Sequence, residues 1–425
     1  MRYGKRSIRA ELPSGVEPVE LLPPIMEASW EGSRGEGDGA VVREALGAAT
    51  GSPALEDLAR RSNSALVVIP DKTRAAGVRE YLPPVLEALA DGGLDERSVR
   101  IITANGAHRL MTEEELIGLM GPEIYARYRP LQHDSKDASR VRHLGSTSRG
   151  TAVAVNNACL EAELLVVTGA VSFHYFAGFG GGRKLLFPGL AGYDSIVENH
   201  RLTLGPGEGL HPRCRSGNLE GNPVHEDIME AFAMLPPPFV LTTVVAPHGP
   251  VIEAFAGEHD SVFSEACASA RRHFGLRARG KASLVIASCG GHPWDINLLQ
   301  LHKSLRHAAA VARDGGALVL AGEAGEGVGS ETLEKGLVHS SWREADKAAR
   351  TSYVLNAHTA VSLLREAERL SLHLVSSLGG DCSGANWASF HDTAQGALEG
   401  ALHDLRFEAG SAYFMPLAAI TVPEP

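Results

Sequence analysis

The feature that most constrains the fold of this chain is an alternation of short apolar runs with amphipathic segments. The amphipathic segments Tyr81–Leu89 and Asn297–Arg313 are both followed by paired glycines, which are common helix stops. Short, largely apolar runs are typical of strands buried on both faces, as in parallel sheets. They occur at Ala65–Ile69, Val99–Thr103, Leu164–Thr168, Val240–Val245, Leu284–Ala287, Ala317–Leu320 and Leu372–Ser376. The alternation therefore predicts an α/β protein with mostly parallel sheets.

The length of 425 residues predicts more than one domain, since a typical domain has about 150 residues. The segment Phe274–Ser283 is basic and poor in large apolar side chains, so we place a domain boundary there. The predicted domains are an N-terminal one over residues 1–272 and a C-terminal one over residues 282–400, with the active site in the cleft between them. Residues 405–425 contain an apolar run, Ala418–Val422, that could return as a strand to either domain.

Composition excludes several functional classes. The chain has 40 Lys and Arg against 51 Asp and Glu, a net charge of −11, which argues against a general nucleic-acid-binding protein. No apolar run approaches the roughly 18 residues of a membrane-spanning helix, and no export signal follows the basic N-terminus. The five cysteines form no Cys-x-x-Cys pair, so neither a zinc ribbon nor a disulfide framework is predicted. We therefore expect a cytoplasmic protein without nucleic-acid or membrane partners.

The densest candidate site follows the apolar run Leu164–Thr168. Glycines at 178 and 180–182 could bring the backbone close to a ligand, and Lys184 follows them. The Gly-Lys-Ser/Thr end of a P-loop is absent, and so is the GxGxxG spacing of a dinucleotide-binding fold. Three interpretations of Lys184 stay open: a surface or phosphate contact, a covalent attachment point for a carbonyl-type cofactor, and an ion-pair partner.

Two histidines, His174 and His200, flank this glycine-rich loop. A lone histidine is most often a structural or surface residue, but two beside a loop with a lysine favour a site. We expect His200 on a helix whose N-cap is Asp194 or Ser195.

Two further clusters of candidate site residues follow the apolar runs Ala65–Ile69 and Val99–Thr103. The segment DKTR contains Asp71 and Arg74; Arg74 could bind a carboxylate or phosphate, and Asp71 could fix Arg74 or a ribose hydroxyl. An ordinary solvated turn is the alternative interpretation of these four residues. The segment NGAHR places His108 between a strand and a helix that begins with a capping box at residues 112–115, which is a rigid position for a general base.

The last cluster lies in the predicted C-terminal domain, after the apolar run Leu284–Ala287. Asp295 is a candidate N-cap for the helix that follows. Gln300 and Lys303 are three residues apart and therefore share one face of that helix. Such a face suits a small oxyacid, whereas the alternative is a solvated helix face.

Together these segments resemble the nickel-dependent lactate racemase family. The string HYFAGFGGGRKLLFPGLAGYDSIVENH, residues 174–200, carries most of the resemblance. The segments DKTR, NGAHR and PWDINLLQLHK agree with the family in order and spacing. The resemblance implies a racemase or epimerase that acts on a small 2-hydroxyacid. It implies hydride transfer to and from a nickel-pincer nucleotide, through a 2-oxoacid intermediate.

The resemblance also implies a cofactor and roles for single residues. The cofactor is pyridinium-3-thioamide-5-thiocarboxylic acid mononucleotide with bound nickel, supplied by cofactor biosynthesis proteins. Lys184 would form the thioamide, His200 would bind nickel, and His108 and His174 would be the acid/base pair. The other implied contacts are to the cofactor, by Asp71, Thr73, Gly181 and Gly182, and to the substrate, by Arg74, Gln300 and Lys303.

Alternatives stay open for both the identity of the substrate and the type of reaction. Lactate-acting members tend to carry a tyrosine directly before the glutamine, where this chain has Leu299. Larger aliphatic, aromatic, dicarboxylic or sugar 2-hydroxyacids are therefore alternatives to lactate. The second hypothesis is a net redox or elimination enzyme with the same cofactor, and the third is a non-catalytic protein that binds nickel or the cofactor.

Overall fold

The chain divides into two compact units. The computed structural model describes residues 1–13, 16–26, 39–247, 249–379, 386–406 and 411–424. The N-terminal unit comprises residues 29–202 and 213–272, and the C-terminal unit comprises residues 1–28, 203–212 and 273–425. Two segments that we assigned to the N-terminal domain, residues 1–28 and 203–212, thus lie in the C-terminal unit.

Strands and helices are numbered along the chain. The strands are β1 Arg2–Tyr3, β2 Arg6–Ser7, β3 Val19–Glu20, β4 Ala65–Pro70, β5 Val99–Ala104, β6 Leu131–Gln132, β7 Val141–Ser146, β8 Ala152–Asn156, β9 Leu164–Ala170, β10 Phe173–His174, β11 Gly178–Phe179, β12 Phe239–Val245, β13 Val251–Gly257, β14 Gly275–Leu276, β15 Ala282–Ser288, β16 Ala312–Ala321, β17 Ser371–Val375, β18 Ser389–His391, β19 Ala412–Met415 and β20 Val422–Pro423. The helices are α1 Ala40–Gly47, α2 Leu55–Ala59, α3 Val78–Asp91, α4 Glu113–Met120, α5 Pro122–Tyr128, α6 Ala158–Glu161, α7 Tyr193–Arg201, α8 Pro223–Ala233, α9 His259–Phe274, α10 Leu298–Ala310, α11 Glu331–Gly336, α12 Trp342–Thr351, α13 Ala357–Arg369 and α14 Ala394–Asp404. All seven predicted apolar strands are confirmed, and both predicted helices are present. The second helix ends at Ala310, so the predicted stop at Gly315 and Gly316 is wrong: both glycines lie in β16, which pairs with β15.

The N-terminal unit is built on a six-stranded sheet with the order β13-β12-β9-β4-β5-β6. Its strands are parallel except β13, which runs antiparallel to β12. Every residue of β4 is buried, and Val67 and Ile69 share an apolar cluster with Leu82, Val85 and Leu89 of α3. Burying each such side chain contributes about 1.5–3 kcal/mol. This packing fixes the place where β4 ends and its loop begins.

The C-terminal unit has a second six-stranded sheet, β18-β17-β16-β15-β19-β3, in which all neighbours are parallel. Leu298, Leu301 and Leu305 of α10 belong to its apolar core. The edge strand β3 pairs with β19, which is why residues 1–28 lie in this unit. The prediction of an α/β fold with mostly parallel sheets is confirmed for both units.

The prediction of a strand at Ala418–Val422 is wrong. The strand that joins the C-terminal sheet is β19, which pairs with β15, and only Val422 is extended, in β20 beside β14. Ala418 is buried by other means: its N–H donates to the Ser288 carbonyl at 2.8 Å, and its carbonyl oxygen accepts from His307 Nδ1 at 2.8 Å. The apolar character of this run is therefore explained by burial and not by strand pairing. Within 405–425, residues 407–410 and 425 lie outside the described part of the chain.

Four cysteines are free and buried: Cys159, Cys214, Cys267 and Cys289. Burial raises the pKa of each of these thiols to about 12, so they stay protonated and unreactive at neutral pH. Cys382 lies outside the described residues. In the described chain, no helix has the length and apolar character needed to span a membrane.

Candidate active site

Three loops with predicted site residues leave adjacent parallel strands at one edge of the N-terminal sheet. β4 lies between β9 and β5, and Pro70 of β4 is opposite Ala104 of β5. Gly106 N–H donates to the Gly189 carbonyl at 2.9 Å, which joins the loop after β5 to the glycine-rich segment after β9. Ligands of open α/β sheets bind at the carboxyl ends of strands, so this edge is the candidate site.

Asp71 and His108 form an ion-pair geometry in this site, in which the carboxylate is buried and the imidazole is partly exposed. Asp71 Oδ2 lies 2.5 Å from His108 Nδ1, and the Asp71 side chain is only 5 % exposed. Burial acts to raise the pKa of Asp71, but hydrogen bonding by His108 and the charges of His108 and Arg74 lower it to about 2. Asp71 is therefore a carboxylate at neutral pH, and an acceptor only, so His108 Nδ1–H is the donor. This leaves His108 Nε2 as the nitrogen that can exchange a proton with a ligand.

Glu115, in the first turn of α4, forms ion pairs with two other basic side chains of these loops, Lys72 and Arg109. Glu115 lies 2.5 Å from Lys72 Nζ and 2.6 Å from Arg109 Nη2, and both contacts hold its pKa far below the usual range. The predicted capping box between Thr112 and Glu115 is present. Arg74 is exposed. The two loops are thus joined by Glu115, while the Arg74 guanidinium is accessible to a ligand.

The glycine-rich segment turns sharply at Gly181 and Gly182, which have φ of 77° and 51°. A Cβ at Gly181 would lie 2.6 Å from the Ala170 carbonyl oxygen, and one at Gly182 would lie 3.2 Å from His259 Nε2. Both glycines are therefore required by close approach within the protein. The short 3-10 helix Gly182–Leu185 follows, and it presents Lys184 on its surface.

Lys184 and His174 are brought together by this turn. Lys184 Nζ lies 3.2 Å from His174 Nε2, and His174 Nδ1 accepts from Ala177 N–H at 3.3 Å. Both side chains are half-buried. The contact with His174 and the partial burial argue against a freely exposed surface lysine, while the phosphate-contact, covalent and ion-pair interpretations of Lys184 stay open.

His200 lies in the last turn of α7, and its ring packs edge-on against Phe176, with 5.0 Å between ring centroids. Phe176 also contacts His174 at 4.5 Å, and Lys184 Nζ lies 5.3 Å from its ring centroid. The Phe176 ring thus adjoins the side chains of His174, Lys184 and His200. The N-cap of α7 is Gly192, so the prediction of Asp194 or Ser195 is wrong. Ser195 Oγ is instead used to donate to the Ala152 carbonyl at 2.5 Å.

Arg183, directly before Lys184, is fully buried. Its Nε donates to His225 Nδ1 at 3.1 Å, and its guanidinium lies 4.0 Å from the Phe263 ring centroid. Burial lowers the pKa of Arg183 to about 10; burial and then the Arg183 charge lower that of His225 to about 3. His225 therefore stays neutral as an acceptor, and Arg183 fixes the turn from inside the unit.

In the C-terminal unit, Gln300 and Lys303 lie together on α10, where Lys303 Nζ donates to Gln300 Oε1 at 2.6 Å. The N-cap of this helix is Asn297, whose side chain accepts from Gln300 N–H at 3.0 Å. The prediction of Asp295 as the cap is wrong, because its carboxylate accepts from Gly4 N–H at 2.7 Å and from Glu323 N–H at 3.1 Å. The shared helix face that the spacing predicts is present.

Two buried histidines, His307 on this helix and His358 on α13, predict a stability change in mild acid. Burial lowers the pKa of His307 to about 4 and that of His358 to about 3. Each takes up a proton on unfolding below its ordinary pKa near 6.5, so the free energy of unfolding falls between pH 6.5 and about 4. We expect a His307→Gln variant to lose about 2 kcal/mol less than the natural protein between pH 7 and pH 5, measured by urea unfolding. A His403→Gln control, whose side chain is 90 % exposed, should leave that loss unchanged.

Comparison with known proteins decides the family. The lactate racemase N-terminal domain model matches residues 3–210, and the lactate racemase C-terminal domain model matches residues 278–359. The chain is 30% identical over 329 residues to a lactate racemase of Thermoanaerobacterium thermosaccharolyticum, a match that covers 77% of this chain and 75% of that protein. It is also 30% identical over 330 residues to a lactate racemase of Lactiplantibacillus plantarum, with the same coverage. The chain belongs to the lactate racemase family. It is a racemase and therefore an isomerase, as the sequence predicted.

Two solved structures share the fold of this lactate racemase family member. The lactate racemase apoprotein from Thermoanaerobacterium thermosaccharolyticum matches with a TM-score of 0.88 at 24% identity, covering 100% of this chain and 99% of that one. A protein from Thermotoga maritima matches with a TM-score of 0.66 at 15% identity, covering 92% and 99% of the two chains. Both confirm the α/β architecture.

Two residues around the site of this family member, Phe176 and His225, were not identified from the sequence. Phe176 gave a weak signal, since it lies in the aromatic run HYF directly after His174. His225 gave none, and the burial of Arg183 was not predicted, because nothing local predicts that an arginine in a glycine-rich loop is buried against a histidine of α8. The pairing of Asp71 with His108 was also missed, since we assigned Asp71 to the cofactor.

Proposed function

We propose that this protein racemises a 2-hydroxyacid, with lactate as the first candidate, by hydride transfer in a site that holds a nickel-pincer nucleotide. The observation that carries the proposal is the pair of differently supported histidines at one sheet edge. His108 is backed by a buried carboxylate at 2.5 Å, and His174 by Lys184 at 3.2 Å. Inversion of a 2-hydroxyacid needs a base for the hydroxyl proton of each enantiomer, and histidine suits that task at neutral pH.

The residues of the N-terminal unit fit the proposed cofactor. Lys184 offers an amine inside the site, and His200 offers an imidazole beside Phe176. No group of three His, Cys, Asp or Glu side chains suited to a metal ion occurs in the described chain. In the proposal, His200 would be the protein ligand that holds nickel, and the cofactor would supply the remaining bonds. When bound, the nickel-pincer nucleotide supplies a reversible acceptor for the C2 hydrogen together with its electron pair.

The chain's own residues would then orient the substrate and move one proton. Arg74 holds the substrate carboxylate through two parallel hydrogen bonds. His108 Nε2 takes the hydroxyl proton while Asp71 stabilises the resulting imidazolium. Loss of the C2 hydrogen leaves a planar 2-oxoacid, which can be reduced on either face. His174 returns or removes the proton for the other enantiomer, and Gln300 and Lys303 are the proposed substrate contacts from α10.

Chiral analysis tests the proposal. The protein is co-expressed with cofactor biosynthesis proteins and given L-lactate that carries deuterium at C2. We expect a mixture of both enantiomers with deuterium retained at C2 and no accumulation of pyruvate. Net pyruvate formation would favour a redox enzyme, and an unsaturated acid an elimination enzyme. A fully matured protein that inverts no member of a 2-hydroxyacid panel would contradict the proposal.

The substrate panel also tests whether Leu299, in place of the tyrosine of lactate-acting members, changes the preferred substrate. Leu299 is partly buried and packs against the apolar core of the C-terminal unit. Leu299 has no hydroxyl to donate to a substrate. We therefore include aromatic, dicarboxylic and sugar 2-hydroxyacids beside lactate. The acid with the highest kcat/KM identifies the substrate class.

Replacement of Arg74 by Lys should weaken substrate binding. Lysine keeps the positive charge but loses the planar fork that binds a carboxylate bidentately. We expect KM to rise about tenfold, the loss of roughly one charge-assisted hydrogen bond, with a smaller change in kcat. Arg100→Lys is the matched control, because Arg100 pairs with Glu161 at 3.2 Å on the protein surface. Equal KM values in the two variants would show that Arg74 does not bind the substrate carboxylate.

A further inference from the structure

A short hairpin, residues 203–212, leaves the N-terminal unit directly after α7 and lies in the C-terminal unit. Its two arms are closed by backbone hydrogen bonds from His211 N–H to the Thr203 carbonyl at 2.9 Å and from Gly205 N–H to the Gly209 carbonyl at 3.0 Å. Leu204 and Leu210 face each other across it as an isolated bridge. The chain then returns to the N-terminal unit at residue 213.

The hairpin is firmly attached to the C-terminal unit. Leu204 and Leu210 pack against the apolar core of that unit. Arg350 of α12 donates from Nη1 to the Gly205 carbonyl at 2.7 Å and from Nη2 to the Gly209 carbonyl at 2.9 Å. Arg350 Nε is itself held by Asp346 Oδ2 at 2.7 Å. One planar guanidinium therefore holds both arms of the hairpin.

The helix on the other side of residue 202 is attached to the N-terminal unit. Asn199 Nδ2 of α7 donates to Asp227 Oδ2 at 2.8 Å, and Ser195 Oγ donates to the Ala152 carbonyl at 2.5 Å. His200 lies between these anchors and Thr203, where the hairpin begins. Only Arg201 and Leu202 separate His200 from the hairpin, so we expect a displacement of the hairpin to disturb the last turn of α7.

We propose that the hairpin is a tether that holds the last turn of α7, and with it the His200 imidazole, and that Arg350 is its positioning residue. The restraint on α7 is independent of nickel; only the role of His200 as a nickel ligand rests on the proposed function. Release of the hairpin from Arg350 would thereby weaken the hold of His200 on nickel.

Hydrogen exchange of the protein without cofactor tests the tether. Arg350→Lys keeps a cation beside Asp346 but cannot reach two carbonyls at once. We expect the backbone amides of residues 199–205 to exchange about tenfold faster, equivalent to the loss of one charge-assisted hydrogen bond, while α12 exchanges as before. Arg343→Lys is the matched control, because Arg343 of the same helix contacts Glu208 of the hairpin at 3.5 Å but is 59% exposed. Exchange that is faster only within 203–212, with α7 unchanged, would overturn the proposal.

A second variant and a second readout separate the tether from folding and from the proposed function. Leu210→Ala weakens the same attachment from the hairpin side and should produce the same exchange pattern in α7. In the loaded protein, nickel release to a chelator should be faster in Arg350→Lys than in Arg343→Lys. Equal release rates would contradict the coupling to His200. A protein that never acquires nickel would contradict the proposed function, and the exchange experiment would still decide the tether.

Discussion

An Asp71→Asn variant is expected to racemise its substrate roughly 10³- to 10⁴-fold more slowly than the natural protein, by analogy with loss of the carboxylate behind a catalytic histidine. Asparagine preserves the shape of the side chain, but its amide would donate to His108 Nδ1. The ring proton would then move to Nε2, the nitrogen that must accept the hydroxyl proton. The imidazolium formed in the reaction would also lose its carboxylate partner. Chiral measurement of kcat at saturating substrate tests this expectation.

The protein contains a matched control for this substitution. Asp137 accepts from Ser139 N–H at 3.1 Å and from its hydroxyl at 2.6 Å, as Asp71 does from Thr73 at 3.1 Å and 2.6 Å. Asp137→Asn therefore perturbs the same kind of turn without touching a histidine. If both variants keep the natural kcat, Asp71 only shapes its turn and His108 is not the base that we propose.

A Lys184→Met variant is expected to carry no covalently attached cofactor and only background nickel when it is matured beside the natural protein. Methionine fills a similar volume beside Phe176 but has no amine for a thioamide bond. Intact-protein mass and metal content measure the two expectations separately. Activity should be lost with them.

Lys72→Met is the control for the loss of a lysine in this site. Lys72 Nζ lies 2.5 Å from Glu115 in the loop region after β4, and our proposal gives it no covalent role. This variant should keep the mass increment on Lys184. An unchanged increment in Lys184→Met would mean that another residue carries the cofactor, and the assignment of Lys184 would be wrong.

The position of the site at the carboxyl ends of the N-terminal strands was predictable from sequence, because the features that determine it are local. Most residues of each apolar run are buried, so its end marks a strand end, and the polar segments that follow must lie at the carboxyl ends of a parallel sheet. The capping box at Thr112 is equally local, since both of its hydrogen bonds lie within four residues. The placement of His108 before α4 follows from these two facts.

The pairings within the site were not predictable in the same way. Asp71 reaches His108 only because β4 and β5 are neighbours in register, which depends on the whole sheet. The cap of α10 shows the same limit: Asp295 and Asn297 are both good caps, and the choice follows from the N–H of Gly4, which is distant in the chain and occupies Asp295. Residues 203–212 lie in the C-terminal unit, where they contact Arg350, a residue that is also remote in the chain.

The pairing of β3 with β19 sets an order on the synthesis and folding of the molecule. Val19 is made before the N-terminal unit, but its partner Tyr413 is made after it. The N-terminal unit is complete once residue 272 has been added. At about 5–20 residues per second, the residues between 272 and Tyr413 take roughly 7–28 seconds to synthesise. During that interval the unit with Lys184 and His200 can fold on the ribosome, while β3 has no strand with which to pair.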